Sequence, residues 1–229
     1  KDTERVTTLT KLSLRFAWLI GLPAGLGLTA VAEGANLALY GDMEGTRAMA
    51  ILGISAIPLS LLLATNGILQ GIGKEKIPAR HLLYGVIVKV AATLVFTSLF
   101  GMDGLSLSWL CATAFVCILN MRVIAKLVQI PIHWRFDTIY PLLVANLMLL
   151  LAWGTTEAVG MLLAGKEKVR LLGAIETVGG VGVGLVVYLG LLLLIPLIED
   201  KELDWLPGGG KLRAFINLIR KKQPSSKAQ

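Results

Sequence analysis

The residue best placed to do chemistry in this sequence is a lysine in the middle of an apolar stretch. Lys89 lies within YGVIVKVAATLVF, residues 84–96, among Val, Ile, Ala and Leu side chains. An ammonium group in low-dielectric surroundings attracts an anion far more strongly than it does in water. At the centre of a membrane helix, such a charge costs at least about 2.5 to 3.5 kcal/mol, so it predicts a function. A structural ion pair with a carboxylate of another helix is the alternative interpretation.

The residues spaced by four around this lysine form a stripe, because that spacing places side chains on one face of a helix. Every member of the stripe is small or polar: His81, Gly85, Lys89, Thr93 and Thr97. We expect the stripe to face the protein interior or a water-filled cavity. Its chemistry would be electrostatic binding along a substrate or ion pathway.

Amide side chains give a weaker signal. Asn66 and Gln70 lie one helical turn apart and are candidates to line the same pathway. Three further amides lie singly in apolar surroundings: Asn36, Asn120 and Asn146. Amides in apolar helices commonly hydrogen-bond to neighbouring helices. Such structural contacts are the favoured interpretation for all five.

Three carboxylates, Glu33, Glu157 and Glu176, lie towards the ends of apolar stretches. Any of them could provide the partner of a buried cation or line a cavity open to the outside. Water-exposed positions at the membrane surface are the simpler interpretation.

No cofactor is expected. The run GGVGVG, which contains Gly179, Gly180, Gly182 and Gly184, has no preceding strand, so close helix packing is favoured over a dinucleotide turn. Residues 66–76 lack the spacing of a phosphate-binding loop. Neither the cysteines nor the histidines have the partners and spacing of a disulfide or metal site: Cys111, Cys117, His81 and His133.

The elements that must position these groups are membrane-spanning helices. Hydrophobic residues make up 55% of the 229 residues and charged residues 16%, against roughly 25% charge in soluble domains. About 20 apolar residues cross the hydrocarbon core. We therefore predict an all-α, polytopic helix bundle with about six transmembrane helices, near residues 15–40, 47–72, 79–100, 104–127, 138–163 and 173–198.

The basic residues predict an orientation with both termini in the cytoplasm. Of the 22 Lys and Arg, 17 would then be cytoplasmic, Lys89 lies in a span, and four would be external: Arg47, Lys166, Lys168 and Arg170. This is a clear positive-inside bias. Trp109 and Trp153 fall near the predicted outer ends, as aromatic residues of the membrane interface do. The net charge of +7 is therefore explained by membrane topology, and nucleic acid is not an expected partner.

The predicted organisation has three parts. A cytoplasmic segment at 1–14 precedes the membrane domain at 15–198, and a basic cytoplasmic tail follows at 199–229. The tail alternates apolar and basic residues at helical spacing, which predicts an amphipathic helix on the inner leaflet.

Four segments carry a family resemblance: LIGLPAGLGLTAVAE (19–33), LYGD (39–42), ILQGIGKEKIPARHLLYGVIVKV (68–90) and DWLPGGGKLRAFINLI (204–219). They resemble the C-terminal half of the stage V sporulation protein B-like polysaccharide transporters. These belong to the multidrug/oligosaccharidyl-lipid/polysaccharide exporter superfamily, which also contains the lipid II flippases. The third segment is the most specific, because its Gly, Lys and Pro spacing extends over a loop and a helix.

The resemblance implies a two-lobed transporter of about fourteen helices in the bacterial cytoplasmic membrane, of which this chain would supply the last six. The missing N-terminal lobe, or a second chain, would complete an alternating-access pathway. The absence of an initial Met agrees with a piece of a longer protein. The cationic headgroup residues of the flippase relatives match no position here, although the relatives often have a basic residue where Lys89 stands.

The function implied is a flippase for a lipid-linked oligosaccharide or cell-wall precursor, with this saccharide and membrane lipids as partners. Lys89 would attract its phosphate, and the glycine run at 179–184 could form a groove for its lipid tail. A cation-coupled multidrug exporter that depends on Glu33 is one alternative, and a truncated membrane scaffold is another. An enzyme is not expected, because no nucleophile, base and orienting group recur at workable spacing.

Overall fold

The computed structural model describes residues 2–128, 140–163 and 169–194. Within these ranges the chain forms seven helices and no strand. The helices are α1 (Asp2–Ala30), α2 (Ala32–Tyr40), α3 (Thr46–Gly71), α4 (Lys76–Phe100), α5 (Met102–Leu127), α6 (Tyr140–Leu163) and α7 (Val169–Leu194). All but α2 contain a stretch long and apolar enough to cross a membrane. The predicted all-α membrane bundle is therefore confirmed.

The predicted spans differ from the observed helices mainly at the first one. The stretch predicted at 15–40 is two helices, and α1 begins at Asp2, so residues 2–14 continue the first helix. At the break, Val31 still donates its N–H to the Gly27 carbonyl at 3.2 Å, and its own carbonyl accepts from Ala35 at 2.9 Å. The break is therefore a local interruption at Val31, across which hydrogen bonds of helical spacing continue. The predicted tail helix at 199–229 and His133 lie outside the described residues.

A glycine ends α2 and another begins α3. Gly41 has φ 81° and donates its N–H to the Leu37 carbonyl, the left-handed helix end that glycine adopts without strain. Gly45, with φ 86°, precedes α3. Asn36 crosses the turn between them, since its amide donates to the carbonyls of Asp42 at 3.0 Å and Glu44 at 2.6 Å. The isolated amide is thus used to close a turn.

The helices pack side by side in an order that differs from their order in the chain. Helix α4 packs on α5, α5 on α3, and α3 on α1. On the other side of α1 lie α6 and α7, and α2 packs mainly against α7. Helices α1 and α2 therefore connect a group formed by α3, α4 and α5 to a pair formed by α6 and α7.

Small residues permit the closest helix contacts. A Cβ on Gly25 of α1 would lie 3.0 Å from the Gly53 carbonyl oxygen of α3, and a Cβ on Gly53 would lie 2.9 Å from the Thr29 nitrogen. The Thr29 hydroxyl bridges the same two helices by donating to the Ala50 carbonyl at 3.2 Å. In lipid, where hydrophobic association between helices is absent, such close packing and hydrogen bonding stabilise the bundle.

Candidate functional site

The stripe predicted on α4 packs against α5 from His81 to Thr93. His81 Nδ1 lies 2.7 Å from Asn120 Oδ1, and the Thr93 hydroxyl lies 2.9 Å from that of Ser108. Between them, a Cβ on Gly85 would meet the side chain of Val116. We call this contact the α4–α5 seam. Thr97, the last residue of the stripe, is exposed.

Asn120 joins three helices at one end of the seam. Its side chain is fully buried, and its Nδ2 donates to Asn66 Oδ1 at 2.7 Å and to Thr65 Oγ1 at 3.2 Å, both on α3. Since the amide nitrogen is used in this way, Oδ1 is the acceptor and His81 Nδ1–H is the donor. Asn66 therefore joins the seam, whereas Gln70, one turn further along, is exposed.

Lys89 lies midway along the seam, and its described partner is an aromatic ring. The Lys89 Nζ atom lies 4.2 Å from the ring centroid of Trp109 on α5. Among the residues that the structure describes, no carboxylate lies within ion-pair distance of this ammonium group. The ion pair considered as the alternative is therefore not found in the described ranges, and a cation–π contact takes its place.

The depth of this contact follows from helix geometry. Lys89 lies eleven residues before the end of α4, which corresponds to about 16 Å at 1.5 Å per residue. The side chain is partly buried. A desolvated cation–π contact stabilises a cation by about 2 kcal/mol, less than the cost of placing the charge there. The ammonium also retains N–H donors that a ring face does not satisfy.

The three carboxylates line one cavity of about 460 Å³ between α2, α3, α6 and α7. Glu33 and Glu157 are exposed and Glu176 is partly buried. Arg47 and Trp153 contribute to the same wall. The structure thus brings together three residues that lie far apart in the sequence. We call this the acidic cavity, and by the predicted orientation it opens to the outside.

An apolar groove of about 440 Å³ lies between α1, α6 and α7. Gly180 and Gly184 line it, together with Pro23, Met148 and Tyr188. A Cβ on Gly179 or Gly182 would meet no described atom within 4 Å, and neither glycine lines the groove. Within the glycine run, Gly180 and Gly184 therefore face the groove, whereas Gly179 and Gly182 lie on a more open side of α7.

The described residues contain no arrangement of side chains that could bind a metal ion. No group of three His, Cys, Asp or Glu is placed to hold an ion there, the acidic cavity included. Cys111 and Cys117 are both free. The expectation that no cofactor is required stays a prediction.

The sequence did not indicate three further residues of this region: Trp109 and Ser108 in the seam, and Thr65 of α3, which accepts a hydrogen bond from Asn120. In the sequence, Trp109 is typical of the aromatic residues at a membrane interface. A cation–π pair between two different helices cannot be recognised from residue spacing. Ser108 and Thr65 are hydroxyls without a periodic signature, so only helix packing identifies them.

Comparison with known proteins supports the membrane assignment. The chain is 27% identical over 218 residues to "Uncharacterized membrane protein YabM" of Bacillus subtilis (strain 168), a match that covers 93% of this chain and 39% of that protein. With six helices long and apolar enough to cross a membrane in the described ranges, this chain is a multi-pass membrane protein. No family model matches the chain, and no solved structure matches it. The chain spans well under half the length of this curated relative.

Proposed function

We propose that this chain is part of a flippase that moves an anionic, lipid-linked saccharide across the bacterial cytoplasmic membrane. The observation that carries the proposal is the ammonium group of Lys89. It lies midway along a membrane helix, with an indole ring and no carboxylate as its partner in the described ranges. An intramembrane charge retained under these conditions is best explained by a ligand of opposite charge.

The phosphate of a lipid-linked saccharide has the charge that this site favours. An ammonium attracts a phosphate more strongly in a partly dehydrated seam than in water. Hydrogen bonds on both sides of Lys89 fix α4 relative to α5, so the charge has a defined place. Such preorganisation lowers the ordering that a ligand must impose when it binds.

The apolar groove suits the other end of the same ligand. Its described lining is predominantly aliphatic and aromatic, and Gly180 and Gly184 leave room between α6 and α7. A polyprenyl chain could lie there while its head passes through the pathway. This assignment follows from the chemistry of the lining alone.

The pathway would need further helices. A two-lobed carrier exposes a central site alternately to each side of the membrane by rocking its halves. The relative in Bacillus subtilis is longer than this chain, which leaves room for another lobe. We propose that the missing N-terminal lobe, or a second chain, closes the pathway against this part.

The test uses the longest natural product that contains this sequence, reconstituted into vesicles. Translocation of a fluorescent polyprenyl-diphosphate saccharide is measured for the native protein and for Lys89→Gln, Lys89→Arg and Lys126→Gln. Lys126 is an exposed lysine at the end of α5 and serves as the matched control. We expect Lys89→Gln to lose transport, Lys89→Arg to keep much of it, and Lys126→Gln to be unchanged. A folded Lys89→Gln protein that transports at the native rate contradicts the charge role.

A second candidate, a cation-coupled exporter, is favoured by the acidic cavity. Glu33, Glu157 and Glu176 share its wall with Trp153, a combination that suits an organic cation. Efflux of a lipophilic cation that is abolished by Glu33→Gln, with no effect of Lys89→Gln, would favour this candidate. A scaffold that transports nothing predicts that both substitutions are silent in both assays.

A further inference from the structure

We propose that Trp109 is a positioning residue that holds the Lys89 ammonium in the α4–α5 seam, so that its remaining N–H groups can bind the phosphate of a polyprenyl lipid. The inference rests on the proposed function and adds a residue and a ligand chemistry to it. The Lys89 Nζ atom lies 4.2 Å from the Trp109 ring centroid.

The position of this contact is fixed by its neighbours. Eight residues before Lys89, His81 is hydrogen-bonded to Asn120 of α5. Four residues after Lys89, Thr93 is hydrogen-bonded to Ser108. Ser108 directly precedes Trp109. The ring is therefore attached to a segment of α5 whose register against α4 is held by side-chain hydrogen bonds.

An indole and a carboxylate would place Lys89 in different electrostatic states. A carboxylate neutralises an ammonium and competes with any incoming anion. A ring face attracts the cation through its quadrupole and leaves the net charge in place. Lysine has three N–H donors, and a ring covers only one side of the group. The pair therefore keeps its affinity for an anion, which an ion pair would lose.

The pair is also accessible. Trp109 is 37% exposed, while Lys89 is partly buried beside it. A cation–π contact that only stabilises the fold contributes most when both groups are shielded from solvent. An open seam with a charged group supported from one side fits a ligand that approaches from the other.

The experiment measures binding to the protein in nanodiscs, with two lipids that differ in a single group. Polyprenyl phosphate is the probe, polyprenol is its uncharged match, and inorganic phosphate is added as a competitor. The variants are Trp109→Leu, Trp109→Phe and, as the control, Phe115→Leu, which removes an aromatic residue of the same exposure from the same helix.

We expect Trp109→Leu to bind polyprenyl phosphate roughly three- to thirtyfold more weakly, the loss that corresponds to one cation–π contact. Trp109→Phe should recover most of the affinity because it restores a ring face. Polyprenol binding should be the same in all variants, and Phe115→Leu should match the native protein. An unchanged affinity for polyprenyl phosphate in Trp109→Leu overturns the inference, as does an equal loss for polyprenol.

Tryptophan emission supplies a readout that a merely structural role would not move. The phosphate-dependent change in emission should be present in the native protein and absent in Trp109→Phe, with the other tryptophans retained in both. An identical change in the two proteins overturns the inference. Competition by inorganic phosphate indicates that the site recognises free phosphate, and its failure to compete indicates a lipid headgroup. Either result supports the proposed chemistry if the Trp109 dependence holds.

Lys89→Gln separates the two proposals. If it weakens binding of polyprenyl phosphate while Trp109→Leu does not, the positioning role fails and the proposed function stands. If Lys89→Gln leaves binding unchanged, the anion site itself fails, and with it the proposed function.

Discussion

The α4–α5 seam and the acidic cavity carry charges of opposite sign in different physical settings. The seam holds one ammonium against a ring, between hydrogen bonds that join α4 to α5. The acidic cavity gathers three carboxylates with Arg47, and two of the three are exposed. Water and ions screen the cavity, whereas the seam screens its charge poorly. Removing a charge should therefore matter much more in the seam.

The largest effect should come from Lys89→Gln. We expect translocation of a polyprenyl-diphosphate saccharide to fall about 10- to 100-fold, the loss that corresponds to one hydrogen bond to a charged group. The fall should be similar at about 0.05 M and 0.5 M salt, because a partly buried charge is little screened. Transport rates in proteoliposomes at the two salt concentrations provide the measurement. A loss that disappears at high salt would show that Lys89 acts as a surface charge and would remove the contrast with the cavity.

The second-largest effect should come from Asn120→Leu, which should lower the stability of the protein. The substitution leaves His81 Nδ1–H and Asn66 Oδ1 without their described partner, at a cost of about 1 to 2 kcal/mol. Asn146→Leu is the matched control, because that amide is exposed and, within the described ranges, donates only to the Leu142 carbonyl of its own helix. Unfolding by SDS titration in mixed micelles should distinguish the two. Equal stabilities would mean that the junction does not hold the seam.

Gly180→Ala should lower the free energy of unfolding by about 1 kcal/mol more than Gly182→Ala does. A Cβ at Gly180 would lie 2.8 Å from Thr156 Cγ2 and 2.9 Å from Val31 Cγ1, whereas one at Gly182 would meet no described atom within 4 Å. The same titration gives both stabilities, and binding of polyprenol reports on the apolar groove. If Gly182→Ala is the more disruptive of the two, the groove is lined by the other glycine face.

Glu157→Gln should give the smallest effect. An exposed carboxylate contributes under about 1 kcal/mol, so we expect saccharide translocation to change less than about threefold. Any change should shrink as salt is added. A large loss of lipophilic-cation efflux in this variant would instead make the cavity the principal site and favour the exporter.

The sequence was sufficient to predict the elements, because each depends on local composition. Apolar stretches of sufficient length, separated by Gly, Pro and charge, correctly predicted six spans, although the first helix begins earlier than predicted and is followed by a second within the same predicted span. The helix break at Val31 was not predicted, since no proline or glycine stands at that position to indicate it. The periodicity of the α4 stripe selected His81, Gly85, Lys89 and Thr93 as residues of one face, and these four lie against α5.

The partners across helices could not be read in the same way. Nothing in the spacing of α3 and α5 pairs Asn66 with Asn120, because two positions 54 apart on different helices have no periodic relation. Gln70 has the same chemistry as Asn66 but lies on an exposed surface, a difference that depends on the rotation of α3. The role of the tail at 199–229 and the orientation of the chain stay predictions.

By itself, the sequence determined that this protein crosses a membrane as a helical bundle and that one lysine lies at an unfavourable depth. Both follow from the transfer of side chains from water to lipid, which depends on residue type and length of stretch. Only the tertiary structure decided that Lys89 faces Trp109, that Asn120 joins three helices, and that three distant carboxylates share one cavity. Those contacts depend on the rotation and register of each helix against its neighbours, and close packing between helices fixes both.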